Sequence, residues 1–122
     1  MSRLKMLAAL APALLVSLAL SPAAAADNYG AIAFSQDSGK VGWSYDYRSR
    51  SEAEERALEE CGGDCEVVLW IMNACGALAT GDDNGYGTGW AGTRERAEEI
   101  ALTNCEENAD NCRINRWICT TR

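Results

Sequence analysis

The sequence predicts one α+β domain, in which two duplicated ββαβ units form one mixed sheet packed by two helices and held by three disulfides. The first observation is a repeat: YGAIAFSQDSGKVGW at residues 29–43 has a counterpart in ACGALATGDDNGYGTGW at residues 74–90. The second is that both copies carry the patterns of a hairpin, a helix and a strand. The third is an even number of cysteines, six, which a small exported chain uses as disulfides.

The repeat continues beyond the hairpins to the end of the chain. Matching segments are Ala53-Glu54-Glu55 with Ala97-Glu98-Glu99, Cys61 with Cys105, Cys65 with Cys112, and Trp70-Ile71 with Trp117-Ile118. A period of about 46 residues in only two copies indicates an internal duplication, because a solenoid needs three or more units. Repeat 1 covers about residues 29–73, and repeat 2 covers about residues 74–122.

The first copy predicts strands over residues 31–35 and 41–47, joined by a turn at residues 36–39. Ser49 and Ser51 are both candidate helix N-caps, because Glu follows each of them three residues later. Gly62 ends the helix. The third strand covers residues 66–73. Since its run VVLWIM is apolar on both faces, we expect this strand to be central and covered on both sides.

The second copy predicts strands over residues 76–80 and 86–91, joined by a turn that contains Asn84-Gly85, a strong hairpin signal. Thr93 caps the second helix, and residues 113–119 form the last strand. The alternating glycines of residues 85–92 are not followed by the Lys-Ser/Thr of a phosphate-binding loop. We therefore interpret them as sites of close packing or bulges.

The repeat also restricts the disulfide pairing. The simplest scheme joins each helix end to the next strand, Cys61 with Cys65 and Cys105 with Cys112. Cys75 then pairs with Cys119, and we expect that bond to join the two halves. The main competing scheme pairs Cys61 with Cys105. A zinc site is disfavoured because the chain has no His.

Residues 1–26 have the order of a secretory signal peptide: basic residues, an apolar run, and small residues before the cleavage site. We predict cleavage after Ala26, which leaves residues 27–122 as a single disulfide-bonded domain. The expected location is the periplasm or the medium of a bacterium, with no membrane insertion after cleavage.

The chain is acidic, with 11 Lys and Arg, 18 Asp and Glu, and a net charge of −7. The only charged residues in the predicted leader are basic, Arg3 and Lys5, so the chain that remains after cleavage is more acidic still. Such a charge repels nucleic-acid phosphates and anionic lipids. A basic protein partner remains electrostatically favourable.

Several of these segments together are similar to a known family. They are YGAIAFS, the alanine-rich helix ending in Cys, CEVVLW, NACGALA, the Gly-Trp at Trp90, and the final WIC at Cys119. Over Tyr29 to Cys119 the chain resembles the small exported bacterial proteins of the domain of unknown function 4189. The resemblance implies an exported, disulfide-bonded single domain and carries over no catalytic residue.

Most catalytic constellations are excluded by composition. Ser and Cys nucleophiles usually need a His base, which the chain lacks. A glycosidase needs only two carboxylates, but no pair stands out. Asp82, Asp83 and Asn84 are weak calcium ligands in principle, but no Glu completes an EF-hand loop, and the first copy has an ordinary turn there. We therefore predict no enzyme, no cofactor and no metal.

Aromatic residues are the remaining candidates for a binding surface. Trp43, Trp70, Trp90 and Trp117 form two matching pairs, which favours core positions. The weak binding candidates are Tyr29, Tyr45, Tyr47, Tyr86 and Trp90, near the hairpins. The leading prediction is a non-enzymatic exported protein-binding module, for example an inhibitor or immunity-type protein acting on a basic envelope or extracellular protein. The alternatives are a carboxylate-dependent hydrolase acting on glycans and a passive envelope component.

Overall fold

The computed structural model describes residues 27–120, in which the order β-β-α-β occurs twice. The predicted signal peptide, residues 1–26, lies outside the described residues. Neither helix within residues 27–120 is long and apolar enough to cross a membrane. The elements are β1 (Tyr29–Phe34), β2 (Val41–Tyr47), α1 (Arg50–Cys61), β3 (Glu66–Met72), β4 (Cys75–Thr80), β5 (Tyr86–Ala91), α2 (Arg94–Glu106) and β6 (Arg113–Cys119).

The strands form two antiparallel three-stranded sheets, β2-β1-β3 and β5-β4-β6, and the prediction of one mixed sheet is wrong. In each half, the helix returns the chain to the open side of the first strand, so the third strand pairs antiparallel to it. Each half therefore completes its own sheet. The α+β class and the six predicted strands are otherwise present.

The molecule has four layers in the order helix, sheet, sheet, helix. The central core lies between the sheets and contains buried residues of both halves: Ile32, Phe34, Ile71, Ala74, Leu78 and Ile118. Each helix covers the outer face of its own sheet through alanines. Ala53 and Ala57 of α1 pack on Ala31 and Ala33, and α2 repeats this packing on β4.

Glycines and alanines allow the helices to lie almost directly on the backbone of the hairpins. A Cβ placed on Gly42 of β2 would lie 2.1 Å from the carbonyl oxygen of Ala57. A Cβ on Gly87 of β5 would lie 2.1 Å from the amide nitrogen of Cys105. The close packing predicted for the alternating glycines is therefore confirmed for Gly87 and Gly89, which lie against α2, whereas a Cβ on Gly92 would have nothing within 4 Å.

The helix ends follow the predicted capping residues. The Oγ of Ser49, and not that of Ser51, accepts a hydrogen bond from the amide of Glu52 at 3.2 Å. Thr93 caps α2 in the same way, accepting from the amide of Arg96 at 3.3 Å. Gly62 ends α1 with a φ of 66°, in the left-handed region that favours glycine.

The expectation that β3 is a central strand is wrong, because β1 and β4 occupy the centres of the sheets. The small residues Ala31 and Ala33 let β1 be covered on both faces, and both are fully buried. In β3, by contrast, the exposed fraction is 41% for Trp70 and 44% for Met72. The apolar run of β3 therefore lies at an open sheet edge.

The disulfides are Cys61–Cys65, Cys105–Cys112 and Cys75–Cys119. The first two tie each helix end to the following strand, as the repeat predicts. The third does not join the two halves, contrary to our expectation, because Cys75 and Cys119 are opposite residues of β4 and β6 in one sheet. The equivalent position in the first sheet holds the pair Tyr29 and Met72.

Candidate functional site

The edges of the two sheets face each other and form two clefts. On one side, β3 of the first sheet lies near β5 of the second, and we call the space along them the β3–β5 cleft. On the other side, β2 lies near β6, and we call this the β2–β6 cleft. Because β2 matches β5 and β3 matches β6 in the repeat, the two clefts occupy equivalent positions.

The β3–β5 cleft contains an apolar groove of about 450 Å³. It includes three of the most exposed large apolar side chains in residues 27–120: Trp90, Met72 and Trp70, with exposed fractions of 64%, 44% and 41%. Exposed tryptophans that share one groove are typical of a surface that binds another molecule. The lining residues are Val68, Leu69, Trp70, Ile71, Met72 and Trp90.

Neighbouring side chains hold the Trp70 ring in place at the edge of β3. The ring stacks on that of Tyr29, with 6.4 Å between centroids and an interplanar angle of 29°. The guanidinium of Arg50 lies 4.3 Å from the Trp70 ring centroid. The Nε of Arg50 also donates to Glu54 at 2.9 Å, which fixes the arginine. Trp70 is therefore ordered before any partner arrives, which lowers the entropy cost of binding.

An acidic pocket of about 160 Å³ adjoins the groove and shares Val68 with it. Asp37, Asp64 and Glu66 line this pocket, beside the edge-to-face rings of Phe34 and Tyr86, whose centroids are 5.3 Å apart. None of these three carboxylates takes part in the ion pairs of the described residues, all of which lie on the two helices. Their negative charge therefore remains available to a ligand.

The β2–β6 cleft has a similar volume, about 420 Å³, but a different wall. The guanidinium of Arg116 on β6 lies 3.6 Å from the ring centroid of Trp43 on β2. Arg116 matches Leu69 in the repeat. Its Nε is buried and has no hydrogen-bond partner within residues 27–120. This cleft therefore presents a positive charge where the β3–β5 cleft presents an aliphatic side chain.

The structure distributes the predicted binding residues over three places. Tyr86 and Trp90 lie in the β3–β5 cleft, while Tyr45 lies at the β2–β6 cleft with 53% of its surface exposed. Tyr29 and Tyr47 are opposite each other on β1 and β2, and both pack beside the core under α1.

The expectation that the tryptophans are core residues is wrong for three of them. Trp70, Trp90 and Trp117 are exposed, and Trp43 is half-buried. A tryptophan at a sheet edge satisfies both environments, since its ring packs on one side and meets solvent on the other. Sequence reasoning therefore missed Trp70, Met72 and the carboxylates of the acidic pocket. One signal for them was present in the sequence. The acidic residue Glu66 directly precedes a long apolar run in which polar and apolar residues hardly alternate.

The weak metal candidates occupy a single 3-10 turn, Asp82–Asn84. A carboxylate oxygen of Asp82 accepts a hydrogen bond from the side-chain amide of Asn111 at 2.8 Å. The side-chain amide of Asn84 donates to the carbonyl of Gln36 at 2.9 Å, linking the hairpins of the two halves. Within residues 27–120 no three Asp, Glu, His or Cys side chains gather closely enough to hold a metal ion.

Comparisons with known proteins agree with this architecture. The sequence model of a family described as "Domain of unknown function (DUF4189)" matches residues 29–119. "Protein Rv1269c" of Mycobacterium tuberculosis is 43% identical over 96 residues, which cover 78% of this chain and 72% of that protein. "Uncharacterized protein Rv1813c" of the same species is 38% identical over 93 residues, covering 75% of this chain and 60% of that protein. The NMR structure of Rv1813c superposes with a TM-score of 0.60 at 26% identity, covering 98% of this chain and 99% of that one.

Proposed function

The chain belongs to the DUF4189 family, and from that premise we propose that it is an exported, non-catalytic module that binds a basic protein in the β3–β5 cleft. The observation that carries the proposal is the continuity of an apolar groove, with Trp70 and Trp90, and an acidic pocket. Aromatic anchors in a groove supply most of the binding energy in protein interfaces. Adjacent carboxylates that form no ion pair within residues 27–120 select a partner by charge.

The composition supports a binding role over catalysis. The chain has no His, so the common nucleophile–base pairs are absent from it. The three carboxylates of the acidic pocket are all exposed. An inhibitor or immunity-type protein acting on a basic envelope or extracellular hydrolase fits these features. Its association would be fast in low salt and slower in high salt.

The three disulfides support export, since such bonds persist in oxidising compartments such as the bacterial periplasm or the medium. The predicted leader at residues 1–26 supports the same location. The identical element order and strand order of the two halves support an origin by duplication. The two clefts would then have been equivalent before their side chains diverged.

The experiment compares Trp70→Ala with Trp117→Ala. These residues match in the repeat, both are 41% exposed, and each lies under an arginine, so they differ mainly in the cleft they line. The disulfide-bonded wild type and both variants are immobilised and exposed to envelope extract of the source organism at low and at high salt. Retained proteins are quantified by mass spectrometry across a range of extract concentrations.

We expect at least one basic protein of the extract to bind saturably to the wild type and to the Trp117→Ala variant at low salt. The same protein should be lost from Trp70→Ala, and its retention should weaken in high salt. The proposal is overturned if no protein saturates the wild type at either salt concentration, which is the outcome expected of a passive envelope component. Equal loss from both variants would also contradict it, because binding would then not depend on the β3–β5 cleft.

A second candidate function, glycan hydrolysis, is favoured by one observation. Three carboxylates and the rings of Phe34 and Tyr86 line the acidic pocket, and glycosidases combine a carboxylate pair with sugar-binding groups. Incubation with a panel of envelope glycans tests this candidate. Turnover that Glu66→Gln abolishes, while Asp82→Asn leaves it intact, would establish the hydrolase and displace the binding proposal.

A further inference from the structure

The β3–β5 cleft also contains an open strand edge. Because the sheet order is β2-β1-β3, β3 pairs with β1 on one side, and no strand of residues 27–120 pairs with its other side. The edge of a sheet presents backbone N–H and C=O groups that can pair with another extended chain. Such strand addition is a recurring mode of peptide recognition.

The edge of β3 has fewer of the charges that usually protect exposed strands than the equivalent edge strand, β6, has. Both strands begin with a charged residue, Glu66 in β3 and Arg113 in β6, but β6 also carries Arg116 within the strand, and charged side chains of this kind discourage pairing with other chains. In β3, no residue from Val67 to Met72 is charged. Both strands have a bulge at matching places, where the register with the central strand shifts, so the bulge does not distinguish them. The regular, uncharged part of the edge is Leu69–Met72.

We infer that the basic partner adds a strand to this edge. An extended segment pairs with β3 along Leu69–Met72, a large apolar side chain lies against Trp70 and Trp90, and a Lys or Arg side chain enters the acidic pocket. This inference rests on the proposed function and specifies the form of the partner: an extended polypeptide segment with one basic residue and one apolar anchor.

The length of β3 sets the spacing between the two anchors. Glu66 lines the acidic pocket and Trp70 lines the groove, four residues further along the same strand. The bulge between Val67 and Leu69 shortens this span, because Glu66 and Trp70 lie opposite Phe34 and Ala31 of β1, which are three residues apart. An extended chain rises about 3.3 Å per residue, so the two anchor points are about 10 Å apart along the strand. A partner segment in register therefore has its basic and apolar residues about three positions apart. The spread carboxylates suit a guanidinium, which presents several donors in one plane.

The probe is the acetylated and amidated peptide Arg-Thr-Val-Trp-Thr-Val-Thr, titrated into the ¹⁵N-labelled, disulfide-bonded protein. We expect its amide shift changes to centre on Leu69–Met72, Trp90 and Glu66, with the dissociation constant taken from their concentration dependence. Replacing the Arg of the peptide by Glu should weaken binding about tenfold, the size expected for one charge-assisted contact. The charge swap Glu66→Arg should restore binding of the Glu peptide.

Two N-methylated versions of the peptide separate backbone pairing from side-chain docking. Each is methylated on one of the two alternating sets of amides, so only one version loses the hydrogen bonds to β3. We expect one version to bind at least about tenfold more weakly and the other to bind like the parent. Trp70→Ala should weaken the parent peptide, and Trp117→Ala should not.

Strand addition is overturned if both methylated versions bind like the parent peptide, or if the parent peptide does not perturb β3. Either result leaves the proposed function standing as long as the envelope capture still depends on Trp70. Conversely, a peptide that pairs with β3 in a protein that captures no partner would support this edge as a peptide site and overturn the function. The two failures are therefore distinguishable.

Discussion

Leu69 on β3 and Arg116 on β6 occupy equivalent positions in the two halves, and each lies in a cleft with a tryptophan of the opposite sheet. In the β3–β5 cleft, Leu69 and Trp90 line an apolar groove, and Trp90 is 64% exposed. In the β2–β6 cleft, the Arg116 guanidinium lies 3.6 Å from the Trp43 ring, which is half-buried. The backbone around the two clefts is arranged in the same way. The difference in chemistry comes from one position, which is Leu69 in one cleft and Arg116 in the other.

This contrast shows how a two-fold repeat can carry a single site. The layers, the capped helices and the alanine packing are common to both halves, so we attribute them to the stability of the fold. The features that differ between the halves include the Cys75–Cys119 bond, the acidic pocket, the uncharged stretch Leu69–Met72 of β3 and the arginine over Trp43. Function is therefore best sought in the departures from symmetry.

The largest effect should come from the bond that only the second sheet has. Replacing both Cys75 and Cys119 by Ser releases a loop with a sequence separation of 44. Loop-closure entropy predicts a loss of about 4 kcal/mol in the free energy of unfolding. The matched double variant at Cys61 and Cys65, with a separation of 4, should lose about 2 kcal/mol by the same estimate. Urea denaturation followed by circular dichroism measures both, and equal losses would contradict the loop-entropy account.

The next effect separates the two clefts directly. Trp43→Ala should destabilise the protein by about 2–3 kcal/mol, because the half-buried ring packs against the core between the sheets. Trp90→Ala should cost less than about 1 kcal/mol, since most of its ring already meets solvent. Urea midpoints of the two variants test this. A loss for Trp90→Ala as large as that for Trp43→Ala would mean that Trp90 serves the fold.

The smallest effect should be the same in both halves. Arg50 lies 4.3 Å from the Trp70 centroid, Arg94 lies 3.9 Å from that of Trp117, and each arginine pairs with a glutamate of its own helix. Replacing either arginine by Ala should lower the free energy of unfolding by about 0.5–1 kcal/mol, the range for exposed cation–π contacts. The two losses should agree within error, and a clear inequality would show that these contacts are not equivalent.

Local sequence patterns predicted the strands and helices of this fold but not which strands lie next to each other in the sheets. The strands, the cap at Ser49 and the end at Gly62 follow from residues within one turn of each other. The sheet order does not, because it depends on which strand tolerates cover on both faces. Ala31 and Ala33 make β1 that strand, whereas the larger residues of β3 gave a stronger but misleading hydrophobic signal.

The candidate site was predictable only in part for a similar reason. Tyr86 and Trp90 could be chosen as aromatic residues near a hairpin. The acidic pocket could not, because Asp37, Asp64 and Glu66 come from a turn, a loop and a strand that only the folded chain brings together. Trp70 was predicted to be a core residue because it matches Trp117 in the repeat, and the arginine that covers its ring, Arg50, lies on a different element.

The junction between the halves consists of only two residues, Asn73 and Ala74, and each of them is hydrogen-bonded to a residue near one end of the domain. The amide of Asn73 donates to the carbonyl of Asn28 at 2.9 Å, and the amide of Thr120 donates to the carbonyl of Ala74 at 2.8 Å. Asn28 and Thr120 therefore flank one spot, and a short glycine bridge could connect them while the backbone is cut between Asn73 and Ala74. In such a circular permutant, the second half would be synthesised before the first, and every layer would be kept. The order in which the two halves are synthesised could therefore be varied without changing the fold.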